Sequence, residues 1–208
     1  MAKRGKFVVI DGGEGSGKTT MIKFLPEILP AGSFVLTREP GGTPLAEKIR
    51  GVIISGEGRE ASAETQFALN FAQRHDHLKK VIEPALANGV NVISDRFDSS
   101  TYAYQVAGQG GRGLKELFWQ TRETFLGIAK PDIYIFFDVE PDVGLARVSS
   151  RNEEKTPFDE RDLNFHRRVR AGFLEFFRNV PHRVIDANRP LEEVKKNFLA
   201  VIREALNR

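Results

Sequence analysis

Short apolar runs alternate along this chain with longer stretches of helical periodicity. The runs fall at Phe7–Ile10, Phe34–Leu36, Asn91–Ser94, Asp132–Val139 and Arg183–Ile185. Four of them are rich in Val, Ile or Phe, and Phe34–Leu36 is the weakest. Between and after them, apolar residues recur at helical spacing near Lys18–Leu25, Leu45–Ile54, Glu64–Ala87, Leu114–Ile128, Pro141–Arg151, Phe158–Asn179 and Leu191–Leu206. Strands that alternate with helices are joined by crossovers, which predicts a mainly parallel sheet. A strand covered on both faces should be continuously apolar, and Asp132–Val139 has that character. The pattern predicts an α/β fold with about five parallel strands flanked by helices. No internal repeat or linker interrupts it, so one domain over 1–208 is expected.

Local punctuation refines this picture. Pro26 and Pro30 should end the first helix early. Gly108, Gly110, Gly111 and Gly113 mark a flexible connection. Arg151–Pro157 is polar and interrupts two helical patterns; an ordinary surface loop and a mobile flap both fit it.

Composition narrows the function classes. The chain has 208 residues and a net charge of +3, from 31 basic and 28 acidic residues. That balance is too mild to imply nucleic-acid binding, though it suits an anionic small ligand. Cysteine is absent, which excludes disulfides, thiolate metal sites and cysteine nucleophiles. No apolar stretch approaches signal-peptide or membrane-spanning length. A soluble, cytoplasmic protein with no membrane partner is expected.

The segment Gly12–Thr20, Gly-Gly-Glu-Gly-Ser-Gly-Lys-Thr-Thr, fits the pattern G-x-x-x-x-G-K-[ST] through Gly12, Gly17, Lys18 and Thr19. Its variable positions are Gly13, Glu14, Gly15 and Ser16. Glycine lets the backbone curl until its N–H groups converge on one anion. The helix that follows adds its free amides and dipole. Lys18 would reach the β- and γ-phosphates, and the Thr19 hydroxyl would ligate Mg²⁺. A strand before the loop and a helix after it complete the P-loop context, so ATP is the expected co-substrate. A guanine-reading Asn/Thr-Lys-x-Asp is missing, which argues against a GTPase.

Two further segments follow the next strands. Thr37–Thr43 reads Thr-Arg-Glu-Pro-Gly-Gly-Thr, and Ser94–Gln105 reads Ser-Asp-Arg-Phe-Asp-Ser-Ser-Thr-Tyr-Ala-Tyr-Gln. Both lie at carboxyl ends of strands, where open α/β sheets bind ligands. Each brings an arginine, Arg38 and Arg96, and a guanidinium is a natural fork for phosphate. Asp95 ends an apolar strand, as a Mg²⁺-organising acid of a P-loop enzyme does.

Together with Asp138–Val148, these motifs closely resemble the thymidylate kinase family, in order and over nearly the whole chain. The resemblance implies a P-loop kinase that transfers the γ-phosphoryl of ATP to dTMP with Mg²⁺, usually as a homodimer. It implies that Gly12–Thr20, including Gly13, Gly15, Ser16 and Thr20, hold the ATP phosphates. Glu14 would approach the sugar 3′-hydroxyl, Arg96 the dTMP phosphate, and Asp95 with Thr19 the Mg²⁺. Ser100 and Thr101 would approach thymine, with Gln105 beside Tyr104, which would crowd C2′ of the sugar. Pro40 matches a cis-proline, and Arg50 would be a second phosphate contact alongside Arg38. Arg74 matches an arginine that bonds the base O4. The family aromatic four residues before it is Asn70 here, which leaves Phe67, Phe71 or neither to stack on the base.

The P-loop's variable positions carry no basic residue, so the cation that phosphoryl transfer needs must come from elsewhere. Arg147 and Arg151 share one helical face four residues apart; a solvated face is the alternative. They resemble lid arginines of one family subclass, which implies a short mobile lid over about 147–160. Asp159, Arg161 and His166–Arg170 would help position it, and Val184–Pro190 would pass the adenine.

Overall fold

The computed structural model describes residues 3–111, 113–150 and 161–207. Five strands form one sheet: β1 (Phe7–Gly12), β2 (Phe34–Arg38), β3 (Asn91–Asp95), β4 (Ile133–Asp138) and β5 (His182–Asp186). Their order is β2-β3-β1-β4-β5, and every pairing is parallel. The α/β fold with a five-stranded parallel sheet is therefore present as the periodicity predicts. The central β1 is buried along its whole length.

Strand alternation sends odd and even side chains to opposite faces, and each face has its own core. On one face Phe7, Val9, Tyr134 and Phe136 meet a cluster rich in aromatic rings. Its centre is Phe118, whose ring lies 5.0 Å from Tyr102, 5.2 Å from Trp119 and 5.9 Å from Phe176. On the other face Val8, Ile10, Ile135 and Phe137 meet a mainly aliphatic cluster that also holds Phe198 and Ile202.

The helices are α1 (Lys18–Ile22), α2 (Leu25–Ile28), α3 (Pro44–Ile54), α4 (Gly56–Glu60), α5 (Ala63–His77), α6 (Glu83–Ala87), α7 (Asp98–Thr101), α8 (Leu114–Leu126), α9 (Pro141–Ser149), α10 (Leu163–Phe177) and α11 (Leu191–Asn207). Side-chain oxygens of Thr43, Ser62 and Asp162 cap α3, α5 and α10. The predicted helix Glu64–Ala87 is α5 and α6 joined by a wider π-helical turn, Leu78–Ile82. Two helical pieces depart from the pattern. Gly56–Glu60 carries no apolar stripe, and Asp98–Gly108, α7 plus a π-helical turn from Tyr102, begins with polar residues. No helix among the described residues is long and apolar enough to cross a membrane.

Register sets the strand tips side by side: Arg38 pairs with Asp95, and Asp95 with Ile10. The motifs at these tips therefore converge on the carboxyl edge of the sheet.

Candidate active site

The turn after β1 is shaped by glycine. Gly12, Gly15 and Gly17 have φ of 154°, 67° and 83°, which L side chains rarely adopt. Gly15 is also pressed from outside, since a Cβ there would lie 2.0 Å from the Gly144 carbonyl oxygen of α9. Inside the loop, Lys18 Nζ donates to the carbonyls of Gly12 at 2.7 Å and Gly13 at 2.9 Å. Burial, and then the like charge of Arg96, pull the Lys18 ammonium down to about 8. Thr19 is exposed at the helix start.

A cavity of about 430 Å³ opens beside this loop. Its wall includes Arg38 and Asp95 at the tips of β2 and β3, Pro40 and Arg96 just beyond them, and Arg50 of α3. Ser100, Thr101, Tyr104 and Gln105 continue the wall, and Glu14 of the P-loop closes it. Arg38 and Arg50 both donate to the Pro40 carbonyl, at 2.9 and 3.0 Å, and the Glu39–Pro40 bond is cis.

Arg96 is the one non-glycine residue among those described with φ in the left-handed region, at 64°. Such a backbone costs about 1 kcal/mol or more and persists only where its surroundings hold it. Here the Arg96 amide donates to Ile10 O at 2.9 Å, and Ser94 Oγ donates to Arg96 O at 2.8 Å. The result aims the guanidinium back across the cavity. Its Nη2 donates to Glu14 Oε1 at 2.9 Å, and the same oxygen accepts from the Tyr104 hydroxyl at 2.7 Å. Burial alone would raise the Glu14 carboxyl, but Arg96 and Lys18 outweigh it and hold it down at about 2.

Asp11, which the sequence reading passed over, anchors this group from below. It is fully buried and accepts from Ser99 Oγ at 2.5 Å and Ser100 Oγ at 2.9 Å. Burial raises its pKa against the pull of Arg96 and Lys18. It is a carboxylate near the end of an apolar strand, the same signal that singled out Asp95. The Asp95 Oδ1 is buried without a hydrogen-bond partner. One free carboxylate oxygen and the exposed Thr19 hydroxyl suit Mg²⁺, which takes few protein ligands and completes its shell with phosphate and water. Among the described residues there is no cluster of three or more acidic or histidine groups that would cage a metal alone.

Arg74 does not itself line the cavity. It lies directly behind the wall, where Nε donates to Glu39 Oε2 at 2.8 Å and Nη2 to Thr101 Oγ1 at 3.0 Å. Its Nη1 is buried with no partner. His77, also unmarked in the sequence, holds the other Glu39 oxygen at 3.0 Å. Phe67 and Phe71 both turn into the aromatic core, and Asn70 faces the cavity in their place.

A second cleft, about 300 Å³, lies on the other side of the P-loop. Gly15, Ser16, Gly17 and Thr20 form one wall, and Arg147, Ala187 and Arg189 the other. Arg147 Nη1 donates to Ala187 O at 2.8 Å and Gly15 O at 3.4 Å. Arg151, Asp159 and the rest of the expected lid beyond Ser150 and up to residue 160 lie outside the described residues.

Comparison with known proteins agrees with this architecture. The family model described as thymidylate kinase matches residues 10–198. The thymidylate kinase of Magnetococcus marinus is 41% identical over 198 residues, which cover 92% of each chain. That of Ruegeria pomeroyi is 40% identical over an alignment covering 100% of this chain and 99% of its own. That of Rhodopseudomonas palustris is 42% identical, covering 99% and 91%. This chain belongs to the thymidylate kinase family.

Proposed function

We propose that the protein is a dTMP kinase that transfers the γ-phosphoryl group of ATP to dTMP, releasing dTDP and ADP. The observation that carries the reading is the shared wall. Glu14 belongs to the P-loop, yet its carboxylate is bonded to Arg96 and Tyr104 in the neighbouring cavity. Two anion sites that share a residue can bring a donor and an acceptor phosphate together without large rearrangement, and phosphoryl transfer depends chiefly on such positioning.

In this reading the P-loop amides and Lys18 hold the ATP phosphates. Lys18 then exchanges the Gly12 and Gly13 carbonyls for phosphate oxygens, and the anion stabilises its ammonium form. The second cleft, with Arg147 and Arg189, takes the nucleoside of ATP. In the cavity Arg96, supported by Arg38 and Arg50, takes the dTMP phosphate. Glu14, released from Arg96 by that phosphate, accepts a hydrogen bond from a sugar hydroxyl. Tyr104 crowds the sugar and favours deoxyribose. Arg74, behind the wall, holds Glu39 and Thr101 in place on the side that meets the base. Asp95 and Thr19 would hold Mg²⁺, which offsets charge on the transferred group. Arg151, one turn beyond Arg147 in the sequence, supplies the cation that the P-loop lacks, while Arg147 serves the nucleoside cleft. A lid over about 147–160 would exclude water and prevent waste of ATP.

An acceptor panel tests this. ATP and Mg²⁺ are mixed with the protein and dTMP, dUMP, UMP, CMP or thymidine, and ADP release is followed. The expected result is fast release with dTMP and little with UMP, CMP or thymidine. Release with dTMP no faster than in buffer alone would overturn the assignment. A homodimer is part of the same reading, and sedimentation as two chains per particle is expected.

A further inference from the structure

The cavity wall holds two chemically distinct groups of side chains. One is charged and contains Arg38, Arg50, Asp95 and Arg96. The other consists of three carboxamides, Gln66, Asn70 and Gln105, beside Ile53 and Ile54. The amides are tied together. Gln66 Oε1 accepts from Gln105 Nε2 at 3.1 Å, and Gln66 O accepts from Asn70 Nδ2 at 2.9 Å.

These contacts dictate which way Asn70 points. A backbone carbonyl only accepts, so the atom of Asn70 facing Gln66 O must be its NH₂. That leaves Oδ1 as the outward atom. No described group donates to Asn70 Oδ1, and it is not among the enclosed unpartnered atoms. It is an acceptor reachable from the cavity, on a residue only 9% exposed.

The aromatic neighbours cannot take over the position. Phe67 and Phe71 lie 4.7 Å apart, and both rings pack edge-on against Phe118, at 6.4 and 5.8 Å. Helix α5 therefore offers an acceptor base a hydrogen-bond acceptor and no ring face.

We propose that Asn70 is a specificity-determining residue, whose Oδ1 accepts a hydrogen bond from the imide N3–H of the acceptor pyrimidine. The proposal rests on the dTMP kinase reading and deepens it. Thymine and uracil carry an N–H at this position. Cytosine carries a lone pair there, which would face Oδ1 without a proton between them. A largely enclosed acceptor left unpaired is costly, so selection acts against a base without that proton.

The test uses the full chain and two acceptors, dTMP and its N3-methyl derivative, which lacks the N–H. The wild-type protein is expected to favour dTMP by roughly 100-fold in kcat/KM. Asn70→Leu should lower kcat/KM for dTMP by about 10-fold, change the N3-methyl value by less than about 3-fold, and so cut the ratio to about 10. The KM for ATP should stay unchanged, whereas a general loosening of α5 would move both substrates together. Should Asn70→Leu fail to fold, Asn70→Ala is read in the same way. Equal use of the two acceptors by the wild type overturns the proposal, as does an unchanged ratio in a folded variant. In both cases dTMP turnover by the wild type leaves the kinase reading standing. A wild type inert toward dTMP removes that reading, and this proposal with it.

Discussion

At Lys18 the environment works against the charge that the residue needs. Its ammonium is buried, faces Arg96, and is lowered to about 8. Bound phosphate restores the charged form, so binding and protonation are linked. Below pH 8 the free protein already carries the proton. Above it, the ammonium is lost from the free protein, and ATP must recover it at a cost in affinity. Titration calorimetry with ATP at pH 7 and pH 9 should therefore record weaker binding at pH 9, with net proton uptake, and Lys18→Ala should remove the uptake. Equal affinity at both values would contradict the assignment. Lys18, Arg96 and Asp95 were legible because motif and strand position mark them. Asp11, Asn70 and His77 were less so, because their importance comes from what lies across the fold. Asp11 gains its role from Ser99 and Ser100, almost ninety residues away.

Among elements, the contact between the P-loop and α9 is an unforgiving one. A Cβ on Gly144 would meet Glu14 O at 2.4 Å, and one on Gly15 would meet Gly144 O. Both obstacles are backbone, so neither can rotate aside. Gly144→Ala should push the loop from its place at about 1–3 kcal/mol, seen as a lowered midpoint in denaturant and roughly 10-fold weaker ATP binding. Wild-type values for both would mean that the loop is not fitted against α9. The strands were legible because burial on both faces gives continuous apolar runs, and β1 and β4 are the clearest. Asp98–Gly108 was not read as helical. Asp98, Ser99, Ser100 and Thr101 are weak helix formers that usually prefer turns. Here their side chains bond across the fold, to Asp11, Arg74 and Arg122, and tertiary contact overrides propensity. The wider π-helical turn that follows lets the consecutive residues Tyr104 and Gln105 both reach the cavity while Tyr102 stays in the core. Periodicity of 3.6 does not foresee such a turn.

Over the whole molecule, the parallel order β2-β3-β1-β4-β5 sets one cavity on each side of the P-loop, at a single edge of the sheet. Arg38, Arg50 and Arg96 gather in one of these cavities, beside the P-loop, where two nucleotides would present their phosphates. The two nucleotides are expected to lie end to end across Glu14, and that arrangement decides the function. It is tested most directly by a single molecule that fills both sites, adenosine and thymidine joined 5′ to 5′ through five phosphates. Its binding is measured by calorimetry alone and in the presence of saturating ATP or saturating dTMP. One molecule should bind per chain, more tightly than either nucleotide, and each nucleotide should compete with it. Binding that ATP displaces but dTMP leaves untouched would contradict the account.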